Sequence, residues 1–280
     1  MYHLRLIGYP IKHSLSPWIH QQFLERTNLK GSYTIHEIPL DASLSEHLKQ
    51  LKAAHISGFN ITVPYKQKIM PYLDKLDSEA KRIGAVNTVV NHNGEWIGYN
   101  TDGSGYVRSL ESEFLDLSDE RQGVRVLILG AGGAARGIYD ALVQRGYRSV
   151  DIANRTRESA DAIAKLNQTG AKTVVKSLTD ATKTISKYDV IIQTTSVGMR
   201  PEIDQMIIPL HKVKKGAIVS DIVYQPIETK FLKEAKKHGA QILHGHTMLI
   251  FQAQYAFELW TGQKVSTAGM ADALKNILEG

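Results

Sequence analysis

The chain has 280 residues, 34 Lys plus Arg against 28 Asp plus Glu, a formal net charge of +6, and no cysteine. The missing thiols exclude disulfide scaffolds, thiolate zinc sites, iron–sulfur clusters and a cysteine nucleophile. A hydrophobic fraction of 42% with 22% charged residues is ordinary globular composition, and the length suits one large domain or two of ordinary size.

From the first residues onward the pattern is alternation. Residues 2–8 read as a strand rather than a signal peptide, because no long apolar stretch or small-residue cleavage site follows. Then come a helix over 17–27, a strand over 32–38, a helix over 43–54, a strand over 57–63 and a helix over 64–73. A helix near 76–83 precedes a hairpin, in which Val86–His92 and Glu95–Tyr99 flank the two-residue turn Asn93-Gly94. After a helix near 103–117 a second series begins, with strands at 124–130, 149–153, 171–175, 188–194 and 216–221 and helices between them. A short strand near 241–243 and helices at 247–260 and 267–278 finish the chain. Repeated βα units imply parallel sheets covered by helices. Two such series imply two α/β domains, with the polar stretch 115–123 as a candidate boundary. No run approaches the roughly 18–20 apolar residues of a membrane span. The positive charges are dispersed: Lys212, Lys214 and Lys215 form the densest group, and Lys233, Lys236 and Lys237 alternate with Glu234 on a solvated helix face. This predicts no nucleic-acid partner and a mild attraction for small anions.

The strongest single motif is Gly130-Ala131-Gly132-Gly133-Ala134-Ala135, which follows an apolar β-rich run and opens a helical stretch. In a GxGxxA loop the first glycine permits the tight turn and the second lets a pyrophosphate approach the backbone. Ala135 then permits close helix–strand packing. The helix N-terminus offers unpaired N–H groups to phosphate. The next strand ends in Asn154-Arg155-Thr156, 19 residues beyond Ala135. An amide, a guanidinium and a hydroxyl there suit a 2′-phosphate, so the expected cofactor is NADP(H) rather than NAD. Asp151 is a rival carboxylate, but within its strand it is expected to point elsewhere.

The first series carries polar clusters at its strand ends. Ser14-Leu15-Ser16-Pro17 reads as a helix start, with Ser16 as N-cap and Pro17 as first helical residue; its two hydroxyls suit either capping alone or a carboxylate cradle. In Asn60-Ile61-Thr62-Val63-Pro64-Tyr65-Lys66, Asn60 and Thr62 share one strand face, and Pro64 is expected to start a helix with Lys66 in its first turn. Ala85-Val86-Asn87-Thr88 and Gly98-Tyr99-Asn100-Thr101-Asp102-Gly103 add amides, hydroxyls and one carboxylate, and Asp102 is a candidate partner for Lys66 in proton exchange. One cation and one anion among many amides and hydroxyls suit a hydroxylated carboxylate. His13 and His20 read as surface or packing residues. His244 and His246 lack a third ligand of suitable spacing, so no metal is expected.

In order and spacing these motifs resemble the shikimate dehydrogenase family, together with Thr195-Ser196-Val197-Gly198-Met199, Asp221-Ile222-Val223-Tyr224 and Gly245-His246-Thr247-Met248-Leu249-Ile250-Phe251-Gln252. The resemblance covers nearly the whole chain. It implies an N-terminal substrate domain with a mixed, mainly parallel sheet, a Rossmann-type NADP-binding domain and a cleft between them. Residues 1–102 would form the first, rejoined by helices over about 246–280, and residues 103–245 the second. The implied activity is reversible reduction of 3-dehydroshikimate to shikimate with NADPH, a cytoplasmic step of aromatic amino-acid biosynthesis, by a monomer or homodimer. By this resemblance Lys66 and Asp102 are the catalytic pair, Ser14 and Ser16 hold the carboxylate, and Asn60, Thr62, Asn87, Asp102 and Gln252 hold ring hydroxyls beside Lys66. Tyr224 and Gly245 line the substrate–nicotinamide region. One departure is that many relatives carry a second basic residue where this chain has Ser159, and Arg157 is the candidate substitute. Two alternatives stay open: a quinate/shikimate dehydrogenase with relaxed cofactor use, and a non-catalytic NADP-binding sensor of the same fold.

Overall fold

The computed structural model describes residues 1–279 and separates into two compact units. The first is Met1–Asp102 with Gln252–Ala268; the second is Gly103–Phe251 with the segment from Gly269 on. The chain order begins β1 (Tyr2–Gly8), α1 (Ser16–Arg26), β2 (Gly31–Glu37), α2 (Leu44–Ala53), β3 (Gly58–Ile61), β4 (Lys75–Leu76), α3 (Ser78–Ile83), β5 (Thr88–His92) and β6 (Glu95–Tyr99). It continues with α4 (Asp102–Glu113), α5 (Leu117–Glu120), β7 (Arg125–Leu129), α6 (Gly133–Arg145), β8 (Ser149–Ala153), α7 (Arg157–Ala164), β9 (Val175–Lys176) and α8 (Leu178–Thr184). Last come β10 (Val190–Gln193), β11 (Ile218–Asp221), α9 (Lys230–Lys237), β12 (Gln241–His244), α10 (Gly245–Thr261) and α11 (Met270–Glu279). No helix among the described residues is long and apolar enough to cross a membrane.

The first sheet has the order β2-β1-β3-β5-β6-β4. It is mixed: β1 runs parallel to β2 and β3, β5 runs antiparallel to β3 and β6, and β4 runs parallel to β6. Period-two alternation divides its side chains. Ile7, Phe59 and Ile61 join one core with Leu48, Leu51 and Trp96, whereas Leu4, Leu6 and Tyr33 join another with Ala256 and Trp260. Asn60, between Phe59 and Ile61, therefore lies on the second face. The β5–β6 turn is as predicted: Asn93 and Gly94 have φ of 55° and 90°, the left-handed pair of a type I′ hairpin.

The expected helix over 64–73 does not form. Only Met70–Tyr72 makes a turn of 3₁₀-helix, and the rest is a run of turns. Pro71 lacks the amide a continuing helix would use. The Lys66 carbonyl, which such a helix would bond internally, accepts instead from Val86 N at 2.8 Å. Lys66 thus sits on a loop tied to the approach of β5 rather than in the first turn of a helix.

The second sheet is entirely parallel, in the order β12-β11-β10-β7-β8-β9. Its strands are apolar on both faces: Val126 and Ile128 enter one core, Leu127 and Leu129 the other. β7 is central, with the chain passing to β8 on one side and later to β10 on the other. This is the doubly wound order, whose switch point lies at the carboxyl end of β7. The predicted strand over 171–175 shrinks to Val175–Lys176 and one bridge from Lys172 to Ser149.

Candidate active site

In the first unit the predicted polar residues meet at the carboxyl ends of β1 and β3 and the start of α4. Lys66 Nζ lies 2.6 Å from Asp102 Oδ2, with side-chain exposures of 16% and 7%. A pair this dry is held only if its remaining bonding capacity is met. Asn87 Nδ2 donates to Asp102 Oδ1 at 2.9 Å, and Asn100 Oδ1 accepts from the Asp102 amide at 3.1 Å. Asp102 also opens α4, where a helix N-terminus favours a carboxylate.

Asn87 is the hub. Its Nδ2 also reaches Thr101 Oγ1 at 2.9 Å and Gln252 Oε1 at 3.4 Å, while its Oδ1 accepts from Thr101 N at 2.8 Å and Thr88 Oγ1 at 2.9 Å. Asn60 Nδ2 donates to Asn87 O and Thr88 Oγ1, and Tyr33 donates its hydroxyl proton to Asn60 Oδ1 at 2.8 Å. Thr62 follows β3 and its amide bonds Ile7 O at 2.8 Å.

The serine motif differs in detail from expectation. Leu15, not Ser16, occupies the cap position of α1, and no side chain caps the helix. Ser14 Oγ instead accepts from Ser16 N at 3.3 Å and lies 3.2 Å from Ser16 Oγ. The two hydroxyls therefore face each other, and the Ser16 hydroxyl also borders that of Tyr33. His20, one turn further along α1, is fully buried, stacked on Tyr33 with ring centroids 4.2 Å apart. Burial lowers its pKa to about 3, with the nearby Asn60 amide opposing part of the shift. Tyr33, His20, Thr88 and Thr101 escaped the sequence reading as site residues. Tyr33 and His20 carry no motif and look like core, whereas Thr88 and Thr101 stand inside motifs whose other members drew attention.

In the second unit Gly130 has φ of +114°, and a Cβ there would run into Thr194 Oγ1 and Thr195 Cγ2. Its amide bonds Ala153 O at 2.8 Å, which sets the loop beside the end of β8. Gly132 caps α6 with no side chain accepting from the first-turn amides, and a Cβ on it would meet nothing within 4 Å. Open space over an uncapped helix start fits a pyrophosphate. Ala135 is buried in the core under α6. At the end of β8, Asn154 Nδ2 donates to Thr156 O at 2.9 Å, Arg155 is exposed, and Arg157 pairs with Asp161 at 3.6 Å. Asp151 points away, as expected: its carboxylate accepts from Val174 N at 3.0 Å and Tyr188 OH at 2.6 Å. The exposed end of β8 thus presents a cation, a hydroxyl and an amide, which suits a 2′-phosphate.

Two loops of the second unit are laced together. Gln193 Nε2 donates to Thr195 O, Val197 O and Asp221 Oδ1, and Asp221 also accepts from Val223 N and Thr229 Oγ1. Burial raises the Asp221 pKa to about 7, against the opposing pull of these donors. This fixes the start of the segment bearing the half-buried Tyr224. Gly245 packs so closely on the carbonyls of Asp221 and Ile222 that a Cβ would not fit. The His244 and His246 rings are 5.8 Å apart, and burial, then the neighbouring His244, lowers the His246 pKa to about 4.

Known proteins are similar to this chain in sequence and fold. Residues 6–89 match the shikimate dehydrogenase substrate binding domain, 113–224 the shikimate / quinate 5-dehydrogenase family, and 245–275 the shikimate 5'-dehydrogenase C-terminal domain. A shikimate dehydrogenase (NADP(+)) of Oceanobacillus iheyensis is 50% identical over 277 residues, covering 99% of this chain and 98% of its own. Shikimate 5-dehydrogenase from Thermus thermophilus, solved with NADP(H) and shikimate, superimposes with a TM-score of 0.85 at 34% identity and covers 99% of both chains. Quinate dehydrogenase from Corynebacterium glutamicum, solved with NAD, gives 0.88 at 30% identity, covering 98% of this chain and 99% of its own. The glycine loop at the switch point, the Lys66–Asp102 pair among its amides and these full-length matches lead to one conclusion: the chain belongs to the shikimate dehydrogenase family.

Proposed function

We propose that this chain catalyses the reversible reduction of 3-dehydroshikimate to shikimate with NADPH. The observation that carries the reading is the nearly dry Lys66–Asp102 ion pair surrounded by amides and hydroxyls. NADP(H), when bound, supplies or accepts the hydride. The chain's own residues do the rest. Gly130 to Ala135 would hold the pyrophosphate, and Asn154, Arg155 and Thr156 the 2′-phosphate. Ser14 and Ser16 would fix the substrate carboxylate, while Asn60, Thr62, Asn87 and Gln252 would engage its hydroxyls. Tyr224 and Gly245 would border the reacting region. The first unit would thus serve the substrate and the second the cofactor.

At the reacting carbonyl, Lys66 would donate a hydrogen bond to the oxygen as its charge grows and pass it a proton. Asp102 would orient the ammonium and accept from the adjacent substrate hydroxyl. The saturated bonding of Asn87 supports a holding role toward Asp102 in addition to any contact with substrate.

The test supplies shikimate or quinate with NADP⁺ or NAD⁺ and follows reduced cofactor by absorbance. Turnover of shikimate with NADP⁺ is expected, with kcat lowered at least about a hundredfold in Lys66→Ala. Turnover confined to quinate with NAD⁺ would overturn the reading, and an undiminished Lys66→Ala would remove that residue's role.

A further inference from the structure

We propose that Thr88, and through it Tyr33, are positioning residues for the catalytic pair, acting by a hydrogen-bond relay that donates in one direction into Asp102. The proposal rests on the reading of Lys66 and Asp102 given above.

The relay crosses the first sheet. Tyr33 on β2 donates to Asn60 Oδ1 on β3 at 2.8 Å, and Asn60 Nδ2 donates to Thr88 Oγ1 at the start of β5 at 3.0 Å. Thr88 Oγ1 donates to Asn87 Oδ1 at 2.9 Å, and Asn87 Nδ2 donates to Asp102 Oδ1 at 2.9 Å. Every member is at most 6% exposed.

Backbone groups force the direction. Asn60 Nδ2 also faces the carbonyl of Asn87 at 3.1 Å, which only accepts, so the Asn60 amide cannot flip. Asn87 Oδ1 also faces the amide of Thr101 at 2.8 Å, which only donates, so the Asn87 amide cannot flip either. Thr88 stands between a fixed donor and a fixed acceptor, and its single proton has one place to go. Hydrogen bonds aligned head to tail in a dry interior polarise one another. Here the polarisation ends on the carboxylate that grips Lys66 from its other oxygen.

A purely structural role for Thr88 would need its loss to unsettle the fold, and the geometry argues otherwise. In Thr88→Val, a change of nearly constant shape, Asn60 Nδ2 keeps the Asn87 carbonyl and Asn87 Oδ1 keeps the Thr101 amide. What disappears is the second donor on Asn87 Oδ1, the one that polarises the Asn87 amide toward Asp102.

The experiment measures kcat and KM for shikimate, KM for NADP⁺ and thermal midpoints for the native chain, Thr88→Val, Thr88→Ser and Tyr33→Phe. Direct removal of a charge-stabilising donor costs about 10²–10³ in turnover, so Thr88, two hydrogen bonds behind Asp102, is expected to cost roughly tenfold in kcat, and Tyr33, two bonds further back, roughly threefold. Both KM values should stay within about twofold, because a transition-state contact is weakened rather than a ground-state one. Thr88→Ser, which keeps the hydroxyl, should recover most of the loss. Native kcat in Thr88→Val would overturn the proposal. So would Thr88→Ser as impaired as Thr88→Val, or a loss confined to KM. A native chain without shikimate turnover would instead refute the parent reading, so the two failures are distinguishable.

Discussion

Replacing His20 with Phe should flatten the acid side of the first unit's stability profile. The ring is fully buried and stacked on Tyr33, with an interplanar angle of 13°, and Phe preserves that stack. Neither ring nitrogen has a hydrogen-bond partner among the described residues, so the substitution abandons little. In the fold the pKa is lowered to about 3 from 6.5. Below pH 6.5 the unfolded chain takes up a proton that the folded chain refuses. The neutral ring's contribution is therefore intact above 6.5 and is lost as pH falls toward 3, at up to about 1.4 kcal/mol per pH unit. Between pH 7 and pH 5 the integrated loss is about 2 kcal/mol. Urea unfolding at both pH values, followed by tryptophan fluorescence, measures it. Trp18, Trp96 and Trp260 all belong to the first unit, so the signal reports where His20 sits. Other titrating groups are common to both chains and cancel in the comparison. The native chain should lose about 2 kcal/mol more than His20→Phe on going from pH 7 to pH 5. Equal losses would refute the reasoning.

Gly132→Ala should leave the thermal midpoint nearly unchanged, since a Cβ there meets nothing within 4 Å, yet raise KM for NADP⁺ about tenfold by filling the space a pyrophosphate needs. Gly103→Ala should do the reverse: its Cβ would strike the Gly137 carbonyl and Ala141, costing about 1–3 kcal/mol on urea unfolding, an overpacking loss. Asp221 titrates near 7 in the fold against 3.8 when free, so its contribution is present at acid pH and lost as pH rises from about 4 to 7. Measured over that window, Asp221→Asn should lack this decline, and parallel profiles for the two chains would count against it.

The features legible in the sequence were those with a local cause. The type I′ turn follows from Asn93-Gly94, and the glycine loop from its place between an apolar strand and a helix. Asp151 could be set aside because period-two geometry turns it from the end of β8. The failures share a non-local cause. Pro64 and the run after it favour a helix start, but Pro71 and the claim of Val86 on the Lys66 carbonyl decide otherwise, and the latter partner is 20 positions away. Ser16 satisfies every local rule for an N-cap, yet its hydroxyl turns to Ser14 and Tyr33. Tyr33 reads as an ordinary apolar strand residue, and only the sheet order brings its hydroxyl to Asn60.

The split composition of the first unit has a consequence for synthesis. Trp260 Nε1 bonds the carbonyl of Val89 at 2.8 Å, and its indole fills the space beside Gly58, so β3 and β5 lack part of their packing until that residue exists. Gln252 follows Asp102 by 150 positions. At translation rates of about 5–20 residues per second, that separation is roughly 8–30 s during which the N-terminal sheet waits with one apolar face only partly covered. The parallel sheet of the second unit, complete at β12, is made before the first unit can close. The sheet synthesised first thus waits for a segment made after the whole of the second sheet, and a stalled ribosome or a truncated message would leave Leu4 and Leu6 without Ala256 and Trp260 and open to whatever apolar surface is nearby.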